Sequence, residues 1–272
     1  MKPAEKQIPE LTALAELPVL EHHENGIVRL TLNRPKQFNS MSEALLTLLQ
    51  EKLDAIAENK DAIVVILEGA GKVFCAGHDL KEMVATRNET YYKSLFQQCS
   101  RMMITLNKMP QPVIACVHGI ATAAGCQLVG ACDLAVASED TRFATSGINV
   151  GLFCSTPSVS VSRNIPRKQA MELLLTGEFI DAETALKWGL INRIAPPEKL
   201  DEEVNKLADA ILAKSSVAVF TGKKMFYKQL EQNMEDAYSY AGEIMACNMM
   251  AEDVDEGIDA FVNKRPAVWK GR

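Results

Sequence analysis

The sequence predicts an α/β fold with a mainly parallel sheet, followed by a region built from helices alone. Apolar runs at residues 62–67, 112–117 and 134–137 are typical of strands buried on both faces. Helical patterns separate them, as at residues 92–109, where apolar residues recur every three or four positions. From residue 214 to 262 the pattern is helical throughout, with no further buried strand. Buried strands that alternate with helices indicate an α/β architecture.

The first part of the chain follows the same patterns. Residues 26–32 alternate as a strand does and stop at Asn33-Arg34-Pro35. Ser40 and Glu43 have the spacing of a capping box, and leucines at helical spacing follow them. We therefore divide the chain into an N-terminal extension (1–19), an α/β core (20–212) and a C-terminal helical oligomerisation region (213–272).

Composition excludes several classes of function. The chain has 272 residues, is 47% hydrophobic and carries a formal net charge of −6. Nucleic acids and anionic membranes favour basic surfaces, so neither is an expected partner. No apolar run reaches the ~18 residues of a membrane span. The first 19 residues show neither a signal-peptide apolar stretch nor an arginine-rich transit pattern.

The cysteines favour a reducing compartment. Their number is odd and none forms a Cys-x-x-Cys pair, so we expect buried, reduced thiols and no disulfide framework. The seven are Cys75, Cys99, Cys116, Cys126, Cys132, Cys154 and Cys247.

Familiar catalytic motifs are absent. The segment from Gly69 to Lys72 is reminiscent of a phosphate loop, but the spacing that such a loop requires is missing and Val73 follows the lysine. There is no Gly-x-Ser-x-Gly elbow and no His-Glu-x-x-His zinc motif. His22 and His23 lie on a polar strand or turn and are expected to be solvated.

Two glycine-containing turns carry more information. Residues 73–83 follow the strand at 62–67, and residues 118–127 follow the strand at 112–117. Each leads into a helix, whose first N–H groups have no partner within the helix. Side by side, two such turns can aim two donors at one oxygen. The alternative is tight packing between strand and helix, which also requires small residues.

Together these segments resemble the crotonase (enoyl-CoA hydratase/isomerase) superfamily. Phe74-Cys-Ala-Gly-His-Asp-Leu-Lys-Glu-Met83 is similar to the first oxyanion loop of the family, and Ala124-Gly125-Cys126-Gln127 is similar to the second. The resemblance runs from about residue 20 to the C-terminus. Further matches are the turn at 32–39, Leu175-Thr-Gly177, residues 182–190 and Phe261-Val-Asn-Lys-Arg265.

The resemblance implies a spiral of repeated ββα units whose C-terminal helices cover the active site and build a trimer or a dimer of trimers. It implies an acyl-CoA thioester as ligand, with coenzyme A as part of the substrate and no metal or redox cofactor. The similarity is greatest to a mitochondrial member, which implies a mitochondrial location.

The same resemblance assigns residues to the site. The backbone N–H groups of His78 and Ala124 would form the oxyanion hole, with Ala124 in place of a usual family glycine. The resemblance also implies a substrate-binding set: Lys36, Gln37, Phe38, Ala76, His78, Asp79, Leu80, Lys81 and Gly125, with Phe261 and Lys264 reaching the ligand of a neighbouring subunit. For each lysine of this set, the alternative is a solvated surface charge.

The acid–base positions depart from the family. Hydratases of the family use two glutamates, and the matching positions here are Gln127 and Gly147. Glutamine does not titrate near neutral pH, and glycine has no side chain. Isomerases place an acid at position 147 or eight residues further on, where Ser155 stands. Ordinary hydratase or isomerase chemistry therefore lacks its acid–base pair.

Two hypotheses follow. The first is an acyl-CoA-binding or regulatory member of fatty acid metabolism without turnover. The second is an active lyase or decarboxylase that stabilises a thioester enolate with His78, because a few decarboxylases of the superfamily share the Ala-Gly-His-Asp pattern. His78 either titrates near neutral pH and acts in catalysis, or turns its side chain to solvent.

Overall fold

A six-stranded sheet forms the centre of the computed structural model, which describes residues 17–272. Its order is β1-β2-β3-β4-β6-β9, in which β1 and β2 are antiparallel and every other pair is parallel. The predicted parallel sheet is therefore present. The strands are β1 (Val19–Glu24), β2 (Ile27–Leu32), β3 (Val64–Gly69), β4 (Val113–Val117), β6 (Leu134–Ser138) and β9 (Arg193–Ala195).

A smaller sheet follows the carboxyl end of β4. It has the order β5-β7-β8, with β5 and β7 parallel and β7 and β8 antiparallel. Its strands are too short to show a clear pattern in the sequence. They are β5 (Ile120–Thr122), β7 (Arg142–Ala144) and β8 (Ile180–Asp181).

Helices pack around the sheets, and residues 216–262 form three helices with no strand between them, as the sequence pattern predicts. Three 3-10 turns lie at Pro35–Gln37, Ser146–Val150 and Pro197–Lys199. The helices are α1 (Glu43–Glu58), α2 (Leu80–Ala85), α3 (Glu89–Lys108), α4 (Ala124–Ala131), α5 (Ser155–Asn164), α6 (Arg167–Thr176), α7 (Ala182–Trp188), α8 (Leu200–Leu212), α9 (Ser216–Gln229), α10 (Met234–Asn248) and α11 (Glu252–Val262).

Both faces of the central sheet are buried, as the continuous apolar runs predict. In β3, Val65 and Leu67 belong to the main core together with residues of α1 and α3. Val64 and Ile66 point to the other face and pack with Val204 of α8. Because both faces are covered, the strand ends are held firmly enough to position the turns that follow them.

The N-terminal elements differ in detail from the prediction. An Asn25-Gly26 turn with positive φ angles of 50° and 82° closes a hairpin whose first strand, β1, was expected only as a polar strand or turn. Val19, placed in the extension by the sequence, is fully buried in β1, and residues 1–16 lie outside the described part of the chain. The predicted capping box is wrong, because the side chain of Ser42 caps α1 by accepting from the Leu45 N–H.

The cysteine and membrane predictions can be compared with the described residues. All seven cysteines are free; Cys247 is exposed and the other six are buried. Burial raises the pKa of Cys75 and of Cys126 to about 12, which keeps these thiols protonated. None of the helices in residues 17–272 has the length and apolar character needed to cross a bilayer.

One buried ion pair attaches the C-terminal region to the core. Lys223 of α9 donates to Oδ2 of Asp133 at 2.7 Å, and to the carbonyls of Leu106 and Gln111 at 2.7 and 2.8 Å. The same carboxylate oxygen accepts the N–H of Val113, the first residue of β4, at 2.7 Å. The three ammonium protons of Lys223 thus all have acceptors, which offsets the cost of burying the charge.

Replacement of this lysine should loosen the attachment. We expect Lys223→Met to lower the free energy of unfolding by about 3–5 kcal/mol, because it leaves a carboxylate and two carbonyls without their buried donor. Urea unfolding followed by circular dichroism measures the change. Lys224→Met, on the exposed side of the same helix, is the matched control with an expected change below about 0.5 kcal/mol. Equal effects of the two substitutions would contradict this role for Lys223.

Candidate functional site

The two glycine turns of the sequence meet in the structure. Cys75 donates to the Ile120 carbonyl at 3.1 Å and accepts from Thr122 at 3.0 Å, which joins the first turn to β5. On its other side the same segment pairs with Met41, which donates to the Gly77 carbonyl at 2.7 Å and accepts from Asp79 at 3.1 Å. Residues 75–79 therefore run between β5 and the strip at residues 38–41.

This pairing determines the direction of the His78 amide. In extended backbone, successive N–H groups point to opposite sides. Because the Asp79 N–H points to Met41, the His78 N–H points the other way, to the side of β5 and the start of α4. Ala124 is the first residue of α4, where an N–H has no partner within the helix. Within residues 17–272, neither amide has a hydrogen-bond acceptor.

Two glycines allow the turns to approach each other. A Cβ atom on Gly77, whose φ is +92°, would lie 2.9 Å from Cβ of Ala123 and 3.2 Å from the amide nitrogen of Ala124. A Cβ atom on Gly125 would lie 2.1 Å from the carbonyl oxygen of Cys75, closer than any real contact. The small residues thus serve both interpretations of the sequence: they pack the turns tightly, and the packing brings the two free amides to one place.

Ala123 is strained at this junction. It has φ 50° and ψ −119°, a conformation that glycine adopts and other residues avoid. Its N–H donates to the Ala144 carbonyl at 3.0 Å, which links the second turn to β7. The strain is held by the surrounding contacts, and it turns the backbone so that α4 begins with its N-terminus at the junction.

An apolar cavity of about 300 Å³ lies at these amides. Among the lining residues there is no Asp, Glu, Lys or Arg, so the cavity wall, within the described chain, offers no carboxylate as an acid or base. The polar side chains of the wall are those of His78, Ser146, Cys154, Ser155 and Thr156. The apolar part is formed by Ala76, Leu80, Met83, Phe96, Ala123, Ala124, Gly147, Val150, Leu152, Phe153 and Pro157.

The His78 side chain enters the cavity wall instead of turning to solvent. Its ring packs edge-on against Phe96, with 5.5 Å between ring centroids. Both ring nitrogens are buried without a hydrogen-bond partner. Burial lowers the pKa of His78 to about 4, so the imidazole is uncharged at neutral pH. The expectation of titration near neutrality does not fit this environment.

The two positions of the family glutamates lie differently. Gln127 is buried in α4, its Oε1 has no partner, and it does not line the cavity. Gly147 does line the cavity, but a Cβ there would lie 2.6 Å from the Leu152 carbonyl oxygen and 2.8 Å from Sγ of Cys154. The space that a side chain at position 147 would need is therefore occupied. Ser155, at the start of α5, supplies only a hydroxyl.

The strip expected to contact coenzyme A borders the first turn. Phe38 is 58% exposed and accepts the Ala76 N–H at its carbonyl, at 3.0 Å. Lys36 and Gln37 are exposed in the adjoining 3-10 turn, and Lys81 is exposed in the first turn of α2. Phe261 and Lys264 do not line the cavity of their own chain. Their position is compatible with a role at a neighbouring subunit, which stays a prediction.

Sequence reasoning missed two residues that organise this site. Arg34 donates to Oδ2 of Asp79 at 2.9 Å and to the Ser40 main chain, so it holds the strip against the first turn. The Arg34 guanidinium lowers the pKa of Asp79, against an opposing effect of burial. Phe96 of α3 closes one side of the cavity. Arg34 stands beside a matched motif and was a detectable candidate, whereas one aromatic residue within a helix gives no such signal.

Comparison with known proteins agrees with this geometry. The sequence model of the enoyl-CoA hydratase/isomerase family matches residues 22–272. The chain therefore belongs to this family, as the resemblance predicted.

Individual relatives support the assignment. The chain is 46% identical to the Rattus norvegicus protein named enoyl-CoA hydratase domain-containing protein 3, mitochondrial, over 90% of this chain and 82% of the relative. A crystal structure of the human protein of that name has a TM-score of 0.90 and 45% identity, and covers 93% of this chain and 100% of its own. A crystal structure of an enoyl-CoA hydratase from Mycobacterium smegmatis has a TM-score of 0.92 and 52% identity, with coverage of 93% and 99%. The predicted crotonase fold and the similarity to a mitochondrial member are confirmed.

The strain at Ala123 predicts a stabilising substitution. Ala123→Gly should raise the free energy of unfolding by about 1 kcal/mol, because relief of the strain exceeds the entropy that a glycine adds to the unfolded chain. Ala131→Gly, at the helical end of α4, is the matched control and should lower it by about 1 kcal/mol. Urea unfolding of both variants measures the two changes. A loss of stability in Ala123→Gly would show that this backbone is not strained.

The buried imidazole predicts a pH dependence of stability. An unfolded histidine titrates near ~6.5, so between that pH and about 4 the unfolded chain binds a proton that folded His78 does not. Stability should therefore fall as the pH falls through this window, by about 2–3 kcal/mol at pH 4.5. Urea unfolding at pH 7 and pH 4.5 should show that His78→Leu lacks this loss. The exposed His22→Gln variant should retain it, and an identical pH profile in all three proteins would contradict the burial of an uncharged imidazole.

Proposed function

We propose that this chain binds acyl-CoA thioesters and holds their carbonyl oxygen between the backbone amides of His78 and Ala124. The observation that carries the proposal is the pair of unpaired N–H groups at one end of an apolar cavity, in a member of a family that binds acyl-CoA thioesters. Backbone donors of this kind stabilise negative charge on a thioester oxygen without a charged side chain.

Hydration is not part of the proposal. Adding water to a double bond requires one group to activate the water and another to deliver a proton. Gln127 lies outside the cavity lining and Gly147 has no side chain, while the imidazole of His78 is uncharged at neutral pH and its pKa is far below neutrality. The proposed role is thus binding or regulation within fatty acid metabolism. By similarity to relatives named mitochondrial, we place it in the mitochondrion.

The alternative is a lyase or decarboxylase that forms a thioester enolate. His78 favours it, because its uncharged imidazole forms part of the cavity wall next to the oxyanion hole. Among the described residues, the wall nevertheless has no Lys or Arg that would pair with a malonyl carboxylate inside this cavity. Of the two hypotheses, the structure supports binding without turnover better.

Assembly into a trimer, or a dimer of trimers, is part of the same proposal. Helix α10 buries none of its residues within its own chain, and the C-terminal helices expose large apolar side chains. A group of exposed large apolar side chains favours contact with another protein. The exposed side chains on these helices are those of Met234, Tyr238, Met245, Met249, Met250, Ile258, Phe261 and Val262.

The oxyanion hole can be tested with one substitution. Ala124→Pro removes this amide donor, and the proline Cδ takes the place of the N–H hydrogen in the oxyanion hole. We expect butyryl-CoA binding, measured by calorimetry, to weaken by at least about 10-fold, because a hydrogen bond is lost and the oxygen is also displaced. Binding of free coenzyme A, which has no carbonyl, should not change. Ala124→Gly keeps the N–H group and is the matched control, expected to bind butyryl-CoA as tightly as the unmodified chain.

Two results would contradict the proposal. If no acyl-CoA binds at any measurable concentration, the binding role is lost. If the unmodified chain hydrates crotonyl-CoA, followed by loss of absorbance of the conjugated thioester, an acid–base pair exists that the geometry does not contain. A thermal melt of each variant by circular dichroism ensures that weaker binding is not caused by unfolding.

A further inference from the structure

A second depression adjoins the apolar cavity and shares two wall residues with it. We call it the α3 groove, because α3 supplies most of its wall. Phe96 and Thr156 line both the cavity and the groove, so the two spaces are adjacent at these side chains. The groove has a volume of about 650 Å³ and is lined by Lys93, Phe96, Gln97, Ser100, Arg101, Ile104, Thr105, Lys108 and Thr156.

The α3 groove is basic, in contrast to the cavity. Its wall carries Lys93, Arg101 and Lys108, and none of residues 17–272 adds an Asp or Glu to it, in a chain whose formal net charge is −6. Lys93 is already paired with Glu89, at 2.6 Å. In the part of the chain that the structure describes, Arg101 and Lys108 have no carboxylate partner. Two cations are therefore available to an anion in the groove.

The start of α5 adds to this positive potential. Thr156 lies in the first turn of α5, a helix of ten residues whose N-cap, Cys154, gives no side-chain hydrogen bond. The helix dipole makes such an end favourable for negative charge. Among the first four residues of the helix, only the Thr156 N–H has no acceptor within residues 17–272, because Ser155 and Ser158 donate to carbonyls and Pro157 has no N–H. The boundary between the cavity and the groove, at Thr156, thus has the same positive polarity as the groove.

The separation of the two regions limits which anion fits. A carboxylate close to the thioester would stay in the cavity, where no cation lies. Along α3, with a rise of ~1.5 Å per residue, Arg101 lies about 7–8 Å beyond Phe96 and Lys108 about 18 Å beyond it. A carboxylate must therefore be several carbons away from the thioester before it reaches a cation.

We propose that the α3 groove binds the negatively charged far end of an acyl chain, so that the preferred ligands are CoA thioesters of medium-chain dicarboxylic acids. The inference rests on the proposed function, because the thioester must occupy the cavity for the chain to reach the groove. An apolar middle section fills the cavity and passes between Phe96 and Thr156. The terminal carboxylate then meets Arg101, and Lys108 adds positive charge further along the groove.

Matched ligand pairs test the proposal. Calorimetry at low salt should show that the decanedioic acid mono-thioester of CoA binds about 10-fold more tightly than decanoyl-CoA, which has the same length and no carboxylate. Salt should reduce the preference, because both cations are solvent-exposed. Malonyl-CoA should show no preference over propionyl-CoA, because its carboxylate remains in the cavity.

Matched variants assign the preference to the groove. In the Arg101→Gln/Lys108→Gln double variant, the ratio of the two decane-based affinities should fall to about 1. In the Lys60→Gln/Lys187→Gln variant, which removes two exposed charges elsewhere, the ratio should be retained. A preference that survives the first variant, or disappears equally in the second, would overturn the proposal.

The two proposals fail differently. If decanoyl-CoA itself does not bind, the proposed acyl-CoA function is wrong. If decanoyl-CoA binds and the dicarboxylic thioester binds no more tightly, the acyl-CoA function stands and the groove does not select for charge.

Discussion

The close approach of two backbone turns is the constraint on which the candidate site depends. Segment 75–79 and the start of α4 are in contact at Gly77 and Gly125, where even a methyl group would collide with main-chain atoms or with Ala123. The pairing with β5 on one side and with Met41 on the other leaves the segment little freedom. Everything proposed for the site follows from this arrangement, because it brings two amides without acceptors to the same cavity.

A site whose donors are main-chain N–H groups places few requirements on the side chains at those positions. The donors persist whatever residue supplies them, provided that the turns keep their conformation. Ala123 and Ala124 show the limit of that tolerance: both methyl groups fit, but Ala123 is held in a backbone conformation suited to glycine. Acid–base chemistry, in contrast, requires titratable side chains, which a single substitution can remove. A chain can therefore have residues other than glutamate at positions 127 and 147 and keep the backbone geometry of the two turns.

Much of the fold could be predicted from local patterns, and the misses have physical causes. The buried strands β3, β4 and β6 are continuous apolar runs with helices between them, so their pattern is strong. Strands β5, β7 and β8 have two or three residues each and depend on pairing that only the tertiary structure provides. The predicted N-cap of α1 was Ser40, and the observed N-cap is Ser42. Both serines are good caps, and a contact with α2 decides between them, because the Glu43 N–H donates to Glu82.

The sequence predicted the loops of the candidate site but not the surroundings of its side chains. The loops and the missing acids followed from matched motifs, which fix residue types at short spacing. The environment of His78 did not, because it depends on Phe96, a residue 18 positions away on another helix. Likewise, no motif indicates that Arg101 and Lys108 line a groove next to the cavity. Charges that are spaced along one helix line a groove only when another element, here the start of α5, lies next to them.

The surroundings of Gly147 have a consequence for any attempt to introduce an acid there. The Leu152 carbonyl and the Cys154 sulfur occupy the place where a side chain at that position would begin. A glutamate placed at 147 would meet a filled space, and segment 152–154 would have to move first. A single substitution at this position therefore cannot put a carboxylate into the cavity without rearranging the neighbouring loop.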